Sequence, residues 1–153
     1  MLRLEMNLLN RFLLMAWFVA VMTPIAYGQD NDNQKHPIDI TLEHCLEIDS
    51  NQTTYGMIQC TAVAREEWDK EMNKFYKMLM DTLGSEEKET LRKAQRHWLE
   101  YRDNEVAFAG SMYYNMQGTM WRVVAAGRIC DIVKQRAVEL KEYYDLLTID
   151  KQK

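Results

Sequence analysis

Few side chains in this sequence could carry out chemistry on their own. Three cysteines (Cys45, Cys60, Cys130) and three histidines (His36, His44, His97) are the candidates for thiol, redox or metal chemistry. The histidines form no helical pair with ligand spacing, and neither an HExxH run nor a paired CxxC occurs. His44 directly precedes Cys45, and adjacent residues on a helix face different ways, so the two do not share a site. There is no GxSxG elbow and no glycine-rich phosphate loop. Carboxylates are abundant, but no pair stands out from solvated helix faces. The chain therefore reads as a non-catalytic binding protein, with no metal and no cofactor expected.

The cysteines take their meaning from the N-terminus. Arg3 and Arg11 precede an uncharged run from Phe12 to Ala26, FLLMAWFVAVMTPIA. As a helix this run spans about 22 Å, short of the roughly 30 Å hydrocarbon core of a bilayer. Ala26-Tyr27-Gly28 places small residues at positions −3 and −1 of a cleavage site. Residues 1–28 are thus expected to be a cleavable signal peptide, the alternative being an uncleaved anchor. No cysteine follows the apolar run directly, so no lipid anchor is expected. The product would be periplasmic or secreted, with no membrane contact after cleavage. An oxidising compartment permits disulfides. Cys45 and Cys60 sit on two helices joined by one short turn, and a bridge there would staple the shorter helix to the rest. The alternative is a pair of buried thiols. Cys130 is left over, either as a buried small hydrophobe or as an intermolecular link.

The elements that must position these groups are helical. The 153-residue length suits one domain, and a 47 % hydrophobic content is enough for a real core. The formal net charge of −4 and the lack of a long basic run argue against nucleic acid as a partner. Loss of residues 1–28 removes Arg3, Arg11 and Glu5, leaving 17 basic and 22 acidic residues. That balance favours a cationic partner. Residues 29–37 are polar and expected to be a disordered lead-in, residues 38–148 the helical domain, and residues 149–153 a frayed tail.

Ile40, Leu42, Cys45, Leu46 and Ile48 suggest a short helix at about residues 38–48, with Pro37 at its start. Cys60, Ala64, Trp68, Met72, Phe75, Tyr76, Leu79 and Leu83 recur at steps of three and four, the pattern of a long second helix. Gly84 suits a left-handed helix end and Ser85 a cap for the next helix. The third helix, from about Glu86 to Asn115, mixes Leu91, Ala94, Trp98, Arg102, Glu105, Ala109 and Met112 on one side. Gln117-Gly118-Thr119 marks a break, with Thr119 as the cap of a fourth helix that runs through Trp121, Ala125, Ile129, Ile132, Val133, Arg136, Leu140, Tyr143 and Leu147. No segment shows sustained strand alternation. The expected fold is all-α: an elongated antiparallel bundle of three long helices plus a short N-terminal helix.

Two segments are more specific than periodicity requires. The first is Trp68-Asp69-Lys70-Glu71-Met72-Asn73-Lys74-Phe75-Tyr76. The second is Leu91-Arg92-Lys93-Ala94-Gln95-Arg96-His97-Trp98-Leu99-Glu100-Tyr101-Arg102-Asp103. With Cys45 and Cys60 ahead of them, they resemble the lysozyme inhibitor LprI-like family of exported bacterial proteins. That family's pattern has two cysteines, an Asp and an Asn before a Tyr, and then L-x-x-A-Q-R-x-W-x-x-Y/F-R-D. Cys130 and the run Arg136-Ala137-Val138-Glu139-Leu140 resemble its closing segment, so the likeness covers about residues 40–145. The family often carries a further cysteine shortly after the RD pair. Val106 stands there in this chain, which implies that Cys130 is a free thiol.

On facing helices, Asp69, Asn73 and Tyr76 would meet Gln95, Arg96, Trp98 and Arg102. Asp69 is expected to pair with Arg102 or Arg96, and Asn73 with Gln95, in a polar network that fixes register. The same residue types also suit a partner-binding surface, with Tyr101, Arg102 and Asp103 as its candidates. The resemblance implies inhibition of a cationic lysozyme by occlusion of its cleft. Only the turns near Asp49–Thr54 and Met116–Thr119 are candidates for an inhibitory loop. The alternative is a structural or adaptor module of the cell envelope. Tyr113-Tyr114 and Tyr143-Tyr144 would then be either contact clusters or end-of-bundle packing.

Overall fold

A computed structural model describes residues 35–150. The expected signal peptide, most of the lead-in and residues 151–153 lie outside the described residues. Helix α1 spans Pro37–Glu47, a 3₁₀ turn Asp49–Asn51, α2 Thr54–Thr82, α3 Ser85–Tyr114 and α4 Met120–Asp150. No strand occurs among the described residues. This is the expected all-α bundle of three long helices with a short N-terminal one.

Local chemistry sets most of the boundaries. His36 Nδ1 accepts a hydrogen bond from the Ile38 N–H at 3.3 Å, and Pro37 opens α1, where its missing N–H costs nothing. Pro37 thus starts the helix as its type suggests, and His36, placed in the lead-in from sequence, is its cap. Asn51 Nδ2 donates to the Cys45 carbonyl at 2.9 Å, closing the far end of α1. The Thr53 hydroxyl accepts from the Gly56 N–H at 3.0 Å and caps α2. Gly56 is required there: a Cβ would lie 2.5 Å from the Asn51 backbone. At the next boundary the sequence reading is corrected. Gly84 is extended rather than left-handed (φ −70°, ψ 174°), and it occupies the cap position of α3 itself, with Ser85 the first helical residue. The left-handed glycine is instead Gly118 (φ +100°), in the turn between α3 and α4.

Residue pairs define the topology. Thr54 meets Thr119, Trp68 meets Lys134 and Phe75 meets Tyr144, so α2 and α4 run parallel. Tyr113 meets Trp121, Glu105 meets Arg128 and Gln95 meets Arg136, so α3 runs antiparallel beside α4. The core is the seam between α2 and α4. Ala64, Trp68, Met72, Phe75 and Leu79 pack there against Cys130, Val133, Ala137 and Leu140. Each large side chain buried in this way contributes roughly 2 kcal/mol.

Helix α1 is clasped to the same seam. The Cys45–Cys60 disulfide joins α1 to α2, with Cα atoms 5.8 Å apart. Lys134 on α4 pairs with Asp39 at 2.8 Å, and its ammonium sits 5.5 Å from the Trp68 ring. The His36 ring covers Trp68 from another side, with centroids 4.3 Å apart. Helix α3 is held differently. Ala109 is its one fully buried residue, and Leu91 and Trp98 are only partly buried against the core.

Candidate functional site

The motif residues occupy two levels of the α2–α3–α4 face. At the deeper level lies Arg136, a buried guanidinium (8 % exposed) on α4. Its Nε donates to Gln95 Oε1 on α3 at 3.1 Å, and its Nη1 donates to Glu139 at 2.5 Å. Gln95 Nε2 points at the Met72 sulfur on α2, at 3.7 Å. This network ties α3 to the seam, and a buried cation without such partners would cost several kcal/mol.

The expected pairing of Asp69 with Arg102 or Arg96, and of Asn73 with Gln95, gives way to a different wiring. Asn73 Nδ2 donates to the carbonyl and to the carboxylate of Asp69, both at 2.9 Å, along the exposed side of α2. Arg96 reaches Glu89 at 3.8 Å on its own helix. The Arg102 guanidinium donates twice to Asp103, at 2.9 and 2.7 Å, and lies 5.5 Å from the Trp98 ring. Tyr76 packs half-buried against the core, and Tyr101 is exposed. The physical reason is that α3 leans on α4 more than on α2, so Gln95 meets Arg136 rather than Asn73.

At the upper level Asp69, Arg102 and Asp103 nevertheless share a cleft of about 510 Å³. Arg65, Glu66 and Lys70 add further charges to its walls, and Val106, Ile129 and Val133 form its apolar part. Lys70 is also bonded to Glu67 at 2.6 Å, which holds its ammonium above the usual lysine range. The cleft is zwitterionic and open, suited to polar contact with a partner. Among the described residues no group of three or more His, Cys, Asp or Glu side chains could hold a metal ion. Cys130 is free and buried. Burial first, and then the neighbouring Asp131 charge, push its thiol up to about 11, so it stays protonated.

The two ends of the bundle differ in kind. At one end the Thr54 and Thr119 hydroxyls are 3.1 Å apart, which brings together the two turns singled out from sequence as loop candidates. Around them Tyr55 (74 % exposed), Tyr114 (64 %) and Met120 (61 %) face outward, with Met116 and Trp121 beside them. Trp121 stacks on Tyr113 with centroids 6.0 Å apart, and the Arg122 guanidinium lies 5.9 Å from the Tyr114 ring. Arg122 and Arg65 border a hollow of about 190 Å³ together with Tyr114. At the opposite end, Leu79, Leu83, Leu91, Tyr143, Leu146 and Leu147 line an apolar groove of about 690 Å³, with Glu86 and Glu87 at its edge. The sequence reading used Trp121 as a core marker and passed over Arg122. The signal was present: between Glu105 and Arg128, Arg122 is the only Asp, Glu, Lys or Arg.

Fold and surfaces together define a disulfide-stapled, all-helical domain with open clefts between its helices. The chain belongs to the LprI family: the family described as "Lysozyme inhibitor LprI" matches residues 45–140. An uncharacterised protein of Rhizobium meliloti (strain 1021) is 30% identical over 87 residues, 48% of this chain and 61% of the relative. The crystal structure of an uncharacterised protein from Burkholderia thailandensis matches with a TM-score of 0.71 and 30% identity, over 75% of this chain and 56% of that one. This chain thus spans a little over half the length of each of these relatives. No helix among the described residues is long and apolar enough to cross a membrane.

Proposed function

We propose that the protein is an exported, non-catalytic inhibitor that binds a cationic lysozyme and occludes its cleft. The observation that carries this reading is the family match over residues 45–140. Three further features support it. A disulfide joins Cys45 to Cys60, as suits an oxidising compartment. The uncharged run Phe12–Ala26 followed by Ala26-Tyr27-Gly28 fits a secretory leader. The net negative charge steers a basic partner toward the protein. In this reading Tyr101, Arg102 and Asp103, on and beside the zwitterionic cleft, contribute to the contact surface.

The test is lysis of bacterial cell walls by animal-type and goose-type lysozymes, with the oxidised protein titrated in at rising salt. Dose-dependent inhibition that weakens with salt supports the reading. Full lysozyme activity at high micromolar concentrations of folded protein contradicts it for those enzymes.

A second reading is an adaptor module of the cell envelope. The open apolar groove between Leu79 and Leu146 favours it. Binding of an envelope protein that is lost in a Leu146→Ser variant, without any effect on lysozyme, would establish that role instead.

A further inference from the structure

Acidic and basic groups are unevenly distributed over this domain. The chain as a whole is acidic, with 23 Asp and Glu against 19 Lys and Arg. The end formed by the α2 start and the α3–α4 turn departs from that balance. From Val106 to Gly127 there is no carboxylate, and the single charge is the cation Arg122. Its guanidinium lies over Tyr114 and is paired with no carboxylate among the described residues. Arg65 shares a hollow with it and likewise has no ion pair there. Both cations are left free for an anionic group from outside.

The same end also carries the most exposed tyrosines among the described residues, Tyr55 and Tyr114. Tyr55, Tyr114, Met116, Met120 and Trp121 surround the two joined turns, outside the α2–α4 core. Tyr, Trp and Arg are the types that dominate binding energy at protein interfaces. A cleft that hydrolyses a polysaccharide has the opposite chemistry. Two carboxylates flank its scissile bond, and its walls must accommodate the flat faces of sugar rings.

We propose that this end, whose α3–α4 segment is free of carboxylates from Val106 to Gly127, enters the lysozyme cleft through that segment, with Arg122 meeting the cleft's carboxylates and Tyr114 and Trp121 covering its sugar-binding walls. The proposal rests on the lysozyme reading and goes further by assigning the part that enters the cleft to one end of the bundle, leaving Tyr101, Arg102 and Asp103 to the surrounding contact. Charge then acts twice. The acidic body draws the basic enzyme in over distance, and the cationic end fits its acidic centre at contact. Blocking both carboxylates at once accounts for inhibition without any chemistry by the inhibitor.

The test measures lysozyme binding calorimetrically for the oxidised protein and three variants: Arg122→Glu, Tyr114→Ser and Lys93→Glu. Lys93→Glu makes the same charge change on the exposed side of α3. An N-acetylglucosamine trisaccharide, which occupies the cleft, serves as competitor, and helical circular dichroism verifies folding. The expected result is at least about tenfold weaker binding for Arg122→Glu and for Tyr114→Ser. Lys93→Glu should stay within about twofold, and the trisaccharide should compete with the wild type. If the wild type binds lysozyme in competition with the trisaccharide but both end variants bind equally well, the assignment fails while the inhibitor reading survives. If the trisaccharide does not compete, the assignment fails and so does occlusion of the cleft. If the wild type does not bind, both fail. Binding to anionic lipid vesicles that Arg122→Glu abolishes, in the absence of lysozyme binding, would reassign this end to a membrane surface.

Discussion

Helices α2 and α4 meet along a seam of fully buried side chains, whereas α3, just as long and carrying the most specific sequence motif, buries only Ala109 completely. The seam works by apolar burial. Helix α3 is attached by half-buried residues and by polar links, Gln95 to Arg136 and Glu105 to Arg128. The contrast separates two roles. The seam, with α1 stapled to it, supplies the stability of the fold. Helix α3 and the turn that follows it are left to present surface.

Truncating the seam should have the largest effect. Trp68→Ala is expected to cost about 3–5 kcal/mol, against within about 0.5 kcal/mol for Tyr101→Ala on the exposed side of α3. Urea unfolding monitored by helical circular dichroism measures both, and equal losses would dissolve the distinction. Next is the staple. Reducing Cys45–Cys60, which closes a loop with a sequence separation of 15, should remove about 3 kcal/mol. Thermal melts with and without reductant test this, and an unchanged midpoint would show that α1 holds through Lys134–Asp39 and His36–Trp68 alone.

A smaller effect is expected where α3 meets the seam. Gln95→Ala leaves Arg136 with Glu139 as its remaining partner and should cost about 1–3 kcal/mol. A loss no larger than that of Tyr101→Ala would mean that the network does not hold α3. The smallest effect concerns Cys130. Its folded-state thiol is raised to about 11 by burial, so it should resist thiol reagents at pH 8 until the protein unfolds. The sign for stability follows. The unfolded thiol ionises near pH 9 and the folded one does not, so stability is retained below pH 9 and declines as pH rises toward 11. Cys130→Ala should remove that part of the alkaline decline.

Much of this organisation could be read from the residues. The steps of three and four from Cys60 to Leu79 identify the buried face of α2. Cys45 and Cys60, on two helices joined by one short turn, point to a staple, with a pair of buried thiols as the alternative; the structure has the disulfide. The wiring of the motif was not legible in the same way. Periodicity tells which face of a helix turns inward, but not which neighbour it meets. Asn73 and Gln95 therefore looked like partners on consecutive helices. Instead Gln95 bonds to Arg136, which lies 41 residues further along the chain. The exposed end escaped for a related reason. Trp121 fits a helical stripe whether or not another helix covers it, and only the missing carboxylates around Arg122 set that end apart.

Hydrogen exchange of the oxidised protein, alone and with lysozyme, tests the account most directly. Alone, the α2 and α4 amides of the seam should exchange only through global unfolding, and α3 should open at a lower free energy. With lysozyme, protection should appear around Tyr113–Arg122 and the start of α2. Equal protection of all three helices, with no change at that end when lysozyme binds, would contradict the account.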